Sequence, residues 1–369
     1  MKIGIITMHN VQNYGSVLQA YALQHSLEKI GCDSEIINYL FPPKKQTRIT
    51  VKVIIQNVIV FLRAFFLGFP QKKTEVKFLK FRNECLKLSP SEYNVDNIKN
   101  NPPKYDIYMT GSDQVWNPRH VGVDTNFMLA FAPNDSVKVS YASSFATSVI
   151  SEEYHDLYKK YLSMYNKISV REPSGINLVK ILSGKEATVC CDPVFLLSRD
   201  EWDLIANRSK KLIKDKYILV YALYYMFDPY PELLSIINNV QKKLGYQVIY
   251  LNGRKEDAFR KNSKVLKAVG PEDFINLIRN AEIVITSSFH GTAFSLIYNK
   301  PLMGIVRKDD NTDSRISSIL SIVEANKSII PYNTNCNMSK EELYNLRCNE
   351  QKLMDYRKRS LQYLSSIIH

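Results

Sequence analysis

The chain has 369 residues, 45% of them apolar and 11% aromatic, enough to build a core in each of two ordinary domains and too many for a disordered or fibrous protein. Its net charge of +13 is uneven: Pro42 to Lys87 holds eleven Lys or Arg against two acids, so basicity is a local feature of the chain. The six cysteines show neither a CxxC pair nor zinc-ligand spacing, and the start MKIGIITMHN lacks the regions of a secretory signal, so reduced thiols, a cytoplasmic protein and no bound metal are expected.

Lys2 to Met8 reads as a strand, His9 to Ser16 as a polar loop with one glycine, and Val17 to Ile30 as a helix stopped by Gly31. This is the first β-loop-α of a doubly wound sheet. It lacks the GxGxxG fingerprint, so no dinucleotide and no other cofactor is expected. The loop opens at the carboxyl end of a strand, where open α/β sheets bind ligands, which makes Asn13, Tyr14 and Gly15 candidate substrate contacts; a simple turn accounts for them as well.

Ser34 to Tyr39 is the second strand, and a basic helical insertion over 42–88 follows. Within it, Val51 to Phe69 is apolar except for Lys52, Gln56, Asn57 and Arg63, which suits either a peripheral membrane contact through 51–69 or a buried helix beneath a solvated basic face. The aromatics here are not interleaved with the charges as a strand-binding groove requires, and no nucleic-acid partner is expected.

Tyr105 to Thr110 reads as a strand delivering Gly111, Ser112, Asp113 and Gln114 into a loop before Trp116 and Pro118. Asp113 is placed for general-base work or as a helix cap, while Gln114, Trp116 and Asn117 supply the hydrogen-bonding and stacking groups a sugar acceptor needs. Strands at Lys138 to Phe145 and Lys167 to Val170 flank a helix at Glu152 to Tyr165. The latter strand ends in Arg171 and Glu172: a guanidinium that can grip a carboxylate or phosphate through two parallel bonds, and a carboxylate that can orient it or act as a base. A surface ion pair of little worth is the bland reading. Thr188 to Val194 ends another strand, with Asp192 before a proline.

Ser198 to Ser209 reads as a passage to a second domain, where the pattern restarts: strand Tyr217 to Leu223, helix Pro231 to Leu244, strand Gln247 to Leu251, helix Pro271 to Asn280. Next comes the densest stretch of signals, Ala281 to Pro301. Glu282 to Thr286 is a buried parallel strand, Ser287 and Ser288 are helix caps, and Phe289, His290 and Gly291 fill the loop at the helix start. An imidazole there sits where free N–H groups and the helix dipole favour an anion, although a lone histidine can also serve only to cap or pack. Leu302 to Val306 is the next strand, followed by Arg307, Lys308, Asn311, Ser314 and Arg315, and Ser339 to Ile368 reads as one long helix. The expected divisions are an N-terminal Rossmann-like domain over 1–200, a C-terminal one over 201–335, and a helix over 339–369 packing back on the first.

In these loops the chain resembles the polysaccharide pyruvyl transferase family, through GSDQVWNP at Gly111 to Pro118, YASSF at Tyr141 to Phe145, SVREPSG at Ser169 to Gly175, CDPVFLL at Cys191 to Leu197, SSFHGTAFSLIYNKP at Ser287 to Pro301, and Asn311 with Ser314 and Arg315. The resemblance implies a fold similar to the two-domain glycosyltransferase B (GT-B) architecture, with the site in the cleft between two Rossmann-like domains. It also implies transfer from phosphoenolpyruvate onto a sugar or lipid-linked oligosaccharide of an exopolysaccharide or cell-wall glycan, at the inner face of the cell membrane, to form a pyruvate ketal. His290 is then the acid, Asp113 or Glu172 the base, and Arg171, Ser288, Phe289, Gly291 and Arg315 the donor site. The chain departs from the family in having Ser288 where characterised members carry an arginine two residues before the histidine; Arg315, Arg307 or Lys308 must replace that cation, or the donor differs. A nucleotide-sugar glycosyltransferase and a non-enzymatic glycan-binding scaffold are the competing readings.

Overall fold

The structure, a computed structural model, describes residues 1–42, 70–122, 124–224, 227–307, 315–334 and 336–368. The stretch 51–69, with its expected membrane contact, and Lys308, Asn311 and Ser314 lie outside them.

Short runs rich in Ile, Val and Tyr become parallel strands here because they are buried on both faces; every residue of Tyr217–Tyr221, Ile283–Thr286 and Leu302–Val306 is buried. In chain order the first half comprises β1 (Lys2–Ile6), α1 (Tyr14–Lys29), β2 (Asp33–Tyr39), α2 (Pro70–Cys85), β3 (Leu88–Tyr93), β4 (Ile107–Thr110), α3 (Pro118–Val121), β5 (Val137–Ser140), α4 (His155–Leu162), β6 (Ser169–Val170), α5 (Ser174–Ser183), β7 (Thr188–Val189) and α6 (Arg199–Ala206). The second comprises β8 (Tyr217–Tyr221), α7 (Glu232–Leu244), β9 (Gln247–Leu251), β10 (Ser263–Leu266), α8 (Pro271–Asn280), β11 (Ile283–Thr286), α9 (Phe289–Ile297), β12 (Leu302–Val306), α10 (Arg315–Ile322), β13 (Ile329–Pro331), α11 (Lys340–Tyr344) and α12 (Glu350–Ser366).

The strands form two all-parallel sheets, ordered β3-β2-β1-β4-β5 and β10-β9-β8-β11-β12-β13, with β6 and β7 paired and joined to the first sheet by single bridges. Each order reverses at one point, between β1 and β4 and between β8 and β11, and in open α/β sheets the ligand crevice lies beyond the strand ends at that reversal. The architecture is two Rossmann-like units, as the sequence pattern predicts. An apolar cluster runs without a break from Ile3 and Leu18 of the first half to Phe274 and Leu320 of the second. At its centre Tyr14 stacks on Phe274, with ring centroids 4.7 Å apart, and meets Phe78 and Tyr221 edge-on or tilted.

Three expectations change. The basic insertion does not continue as helix to residue 88: it gives way to edge strand β3, in which Pro90 is tolerated because an edge leaves one side of the backbone unpaired. The passage at Ser198 to Ser209 contains α6, which starts with a capping box between Ser198 and Glu201 and packs against α8. The terminal segment is two helices, because the backbone of Leu346 accepts a hydrogen bond from Leu302 N at 2.9 Å, at the start of β12, and Asn349 caps a new helix. That last helix reaches the first half: Tyr363 Oη donates to Ser140 O at 3.1 Å, Arg357 Nε to Leu196 O at 3.0 Å, and Ser360 Oγ accepts from Cys191 N at 2.9 Å.

Candidate active site

The segments leaving β4, β6, β7 and β11 bring five ionisable side chains into the seam between the halves: Asp113, Arg171, Glu172, Asp192 and His290, each at most 7% exposed. Asp192 is their hub. Its Oδ2 accepts from Arg171 Nη1 at 2.8 Å and from Ser112 Oγ at 3.2 Å, and it lies 3.5 Å from His290 Nε2, close enough for an ion pair but without hydrogen-bond geometry. Burial works to raise its carboxyl pKa, yet His290 and Arg171 hold it far below the usual range.

Arg171 is fixed on three sides. Nε donates to Glu172 Oε1 at 2.8 Å, Nη1 goes to Asp192, and the plane lies over the Phe289 ring at 4.5 Å. Burial disfavours its charge, but Glu172, Asp192 and Asp113 more than offset that and raise its pKa further. Glu172 also accepts from Ser144 Oγ at 2.8 Å, so it orients the guanidinium rather than standing free. Two buried atoms in the cluster have no hydrogen-bond partner among the described residues: Arg171 Nη2 and His290 Nε2. Unpaired buried donors of this kind are rare and call for a ligand.

His290 stands in the first turn of α9, where the N–H groups of Phe289 and His290 have no intrahelical acceptor. Ser288 caps this helix, its Oγ accepting from Gly291 N at 3.2 Å. The cap uses the N–H of Gly291, an expected donor contact, whereas the Ser288 hydroxyl accepts that bond and keeps its own O–H to donate. Phe289 acts through Arg171. Arg315, at the start of α10, lines the same small cavity as Arg171, Glu172, Asp192, Phe289 and Tyr356 and supplies a second cation there, whereas Arg307 is exposed and does not line it.

Asp113 takes a left-handed backbone, φ 76°, which costs a non-glycine residue on the order of 1–3 kcal/mol and persists only where the surroundings enforce it. Its carboxylate accepts from Gln114 N at 2.9 Å and from Ser16 Oγ. Burial pushes its pKa up, but His290, Arg171 and Ser16 bring it below the normal value.

The expected acceptor contacts are turned inward. Trp116 is fully buried, donating Nε1–H to Phe127 O at 3.1 Å, and offers no ring face to a sugar. Gln114 and Asn117 are buried and bonded to each other at 2.9 Å, and Asn117 also caps α3. Asn13 caps α1 through Gly15 N and Ser16 N, and Tyr14 belongs to the apolar seam. Gly15 has a different role: a methyl carbon built on it would sit 1.9 Å from His290 Nδ1. The glycine therefore lets the imidazole come up against the start of α1. Gly15→Ala is expected to displace the ring and cut turnover by about 10²-fold, the loss typical of a misplacement near 1 Å. Unaltered steady-state kinetics in that variant would show that the contact is irrelevant.

Sequence reasoning missed Asp192, Ser16, Ser112, Ser144 and Tyr356. Asp192 was within reach, since it closes the strand in CDPVFLL as Arg171 closes the one in SVREPSG. The serines are ordinary residues until folding sets them beside carboxylates.

Two parallel Rossmann-like units with a charged site buried in the seam between their switch points define an enzyme of the GT-B architecture. Solved structures of similar fold include the UDP-GlcNAc 2-epimerase of Methanocaldococcus jannaschii in complex with UDP-GlcNAc and UDP, 13% identical, covering 100% of this chain and 99% of that one at a TM-score of 0.55. A putative UDP-N-acetylglucosamine 2-epimerase from Listeria monocytogenes is 12% identical over 99% of this chain and 90% of its own, at 0.51. The glycotransferase of kitacinnamycin is 13% identical over 100% and 98%, at 0.50. At such identities the likeness concerns the fold alone. No curated protein matches the chain in sequence. The model of one family, polysaccharide pyruvyl transferase, matches residues 13–309, and the chain belongs to that family, which makes it a transferase.

Proposed function

We propose that the protein moves the enolpyruvyl group of phosphoenolpyruvate onto a sugar of an exopolysaccharide or cell-wall glycan, free or lipid-linked, on the cytoplasmic side of the cell membrane. The observation that supports this reading is a pair of buried nitrogens without a hydrogen-bond partner among the described residues, Arg171 Nη2 and His290 Nε2, on side chains from different halves that both face one carboxylate, Asp192.

In this reading Arg171, Arg315 and the N–H groups opening α9 hold the carboxylate and phosphate of the donor. His290 protonates the methylene carbon, leaving an oxocarbenium-like centre at the enol carbon. A sugar hydroxyl, losing its proton to Asp113, attacks that carbon; phosphate then departs with its oxygen, and a second hydroxyl closes the ketal. One hydroxyl proton balances the proton now in the methyl group, and the other leaves on phosphate. Glu172 and Asp192 keep Arg171 and His290 in place. The cavity that Arg171 and Arg315 line measures about 10 Å³, the size of one water, and His290 is not part of its lining, so loading the donor requires the seam to open there.

The test is a donor screen on the purified protein. Phosphate release from phosphoenolpyruvate, dependent on a glycan acceptor, is the expected result. Turnover or thermal stabilisation by uridine nucleotides, with none by phosphoenolpyruvate, would replace the reading with a nucleotide-sugar glycosyltransferase; glycan binding without consumption of either donor would replace it with a scaffold.

A further inference from the structure

Sharing no residue with the catalytic cluster, a wide groove of about 540 Å³ lies between α2 and the segment from β10 to α8. Its lining is half lysine and half aliphatic, with no acid: Lys72, Lys73 and Lys77 come from α2, and Lys264 and Lys267 from the opposite wall. Lys77 pairs with Asp273 at 2.6 Å, while Lys73, Lys264 and Lys267 have no ion-pair partner among the described residues. The aliphatic part is outward-facing where it matters, with Val76 62% and Leu212 39% exposed, and Leu266, Ala268 and Val269 continue it inward.

We infer that this groove is a docking surface for an anionic phospholipid bilayer. Like-charged lysines around exposed aliphatic side chains suit a surface that offers phosphates at one depth and hydrocarbon just below, which is the layering of a bilayer interface. A soluble anion gains nothing from the aliphatic floor, and a nucleic acid strand or glycan needs aromatic stacking faces and hydrogen-bond acceptors that the described side-chain lining lacks. The groove bridges the two halves. Gly270, which follows its Val269, packs against the stem of Lys77, and Val269 O accepts a 3.4 Å hydrogen bond from Tyr14 Oη, the residue before the glycine that touches His290. Membrane docking here holds α2 and the second sheet side by side next to the reaction cleft. The inference rests on the groove alone and not on the identity of the donor.

The test is co-sedimentation of the full chain with vesicles of phosphatidylcholine, with and without phosphatidylglycerol. The wild type is expected to pellet only with the anionic vesicles and to be released by salt. The variant K73Q/K264Q/K267Q should partition about 10²-fold more weakly, from about one factor of five per neutralised lysine. Val76→Asp, at an exposed position, should also bind more weakly, and both variants should melt as the wild type does. The inference is overturned if the triple variant binds as well as the wild type, if neutral vesicles bind equally, if anionic vesicles fail to bind, or if glycerol phosphate at millimolar concentration displaces the protein completely, which would mark a pocket for a soluble phosphate.

Discussion

Exchanging His290 for alanine is expected to slow acceptor-dependent phosphate release by about 10²- to 10⁴-fold, the usual worth of a positioned proton donor. The ring sits against Gly15 on one side and meets the Phe289 ring edge-on at 5.1 Å, so its removal leaves a modest void next to backbone and should spare the fold. The Michaelis constant for phosphoenolpyruvate should change little beside turnover, because the donor's anionic ends are assigned to Arg171, Arg315 and the start of α9. A large rise in that constant with turnover intact would reassign His290 from proton donor to binding group. Wild-type kinetics in the variant would remove the residue from the mechanism.

The second large effect concerns Arg171. Alanine there takes away the one cation fully enclosed with Glu172, Asp192 and Asp113, and breaking such a buried pair typically costs about 3–5 kcal/mol. Chemical denaturation should show that loss together with the disappearance of phosphoenolpyruvate turnover. Arg171→Lys should recover part of the stability and little of the activity, since an ammonium keeps the charge but cannot serve Glu172, Asp192 and a donor at once. Acid titration gives an independent reading. Asp192 and Asp113 have folded pKa values held below their unfolded ones, so their stabilising contribution is complete above about pH 4 and drains away as pH falls further. Without Arg171 that acid-side loss should be shallower. A variant as stable as the wild type, with the same acid slope, would mean that the cluster is not held together by this guanidinium.

Much of this was legible before any coordinates. The central strands announce themselves because burial on both faces demands uninterrupted apolar runs, as in Tyr217–Tyr221 and Leu302–Val306. The strands that escaped notice, Leu88–Tyr93, Ser263–Leu266 and Ile329–Pro331, are sheet edges, where half-exposed and polar residues blur the pattern. The site followed the same division. Arg171 and His290 stand out because each charged or ionisable group follows a buried strand. The inward turn of Trp116, Gln114 and Asn117 could not be read, because a polar or aromatic loop residue looks the same whether it faces a ligand or seals the floor beneath one. The close approach of Gly15 to His290 spans two domains and has no local signature at all.

Both ends of the chain build the buried site: Ser16 bonds to Asp113, and Tyr356 lines the cavity beside Arg171. On the ribosome, at about 5–20 residues per second, tens of seconds separate the emergence of the first of these from the last. Through that interval the nascent first half carries the apolar flank that Phe274 and Leu320 will later cover. Synthesis of this protein therefore passes through a sticky, catalytically silent stage, and its yield in a cell should depend on chaperone supply more steeply than the stability of the finished molecule suggests.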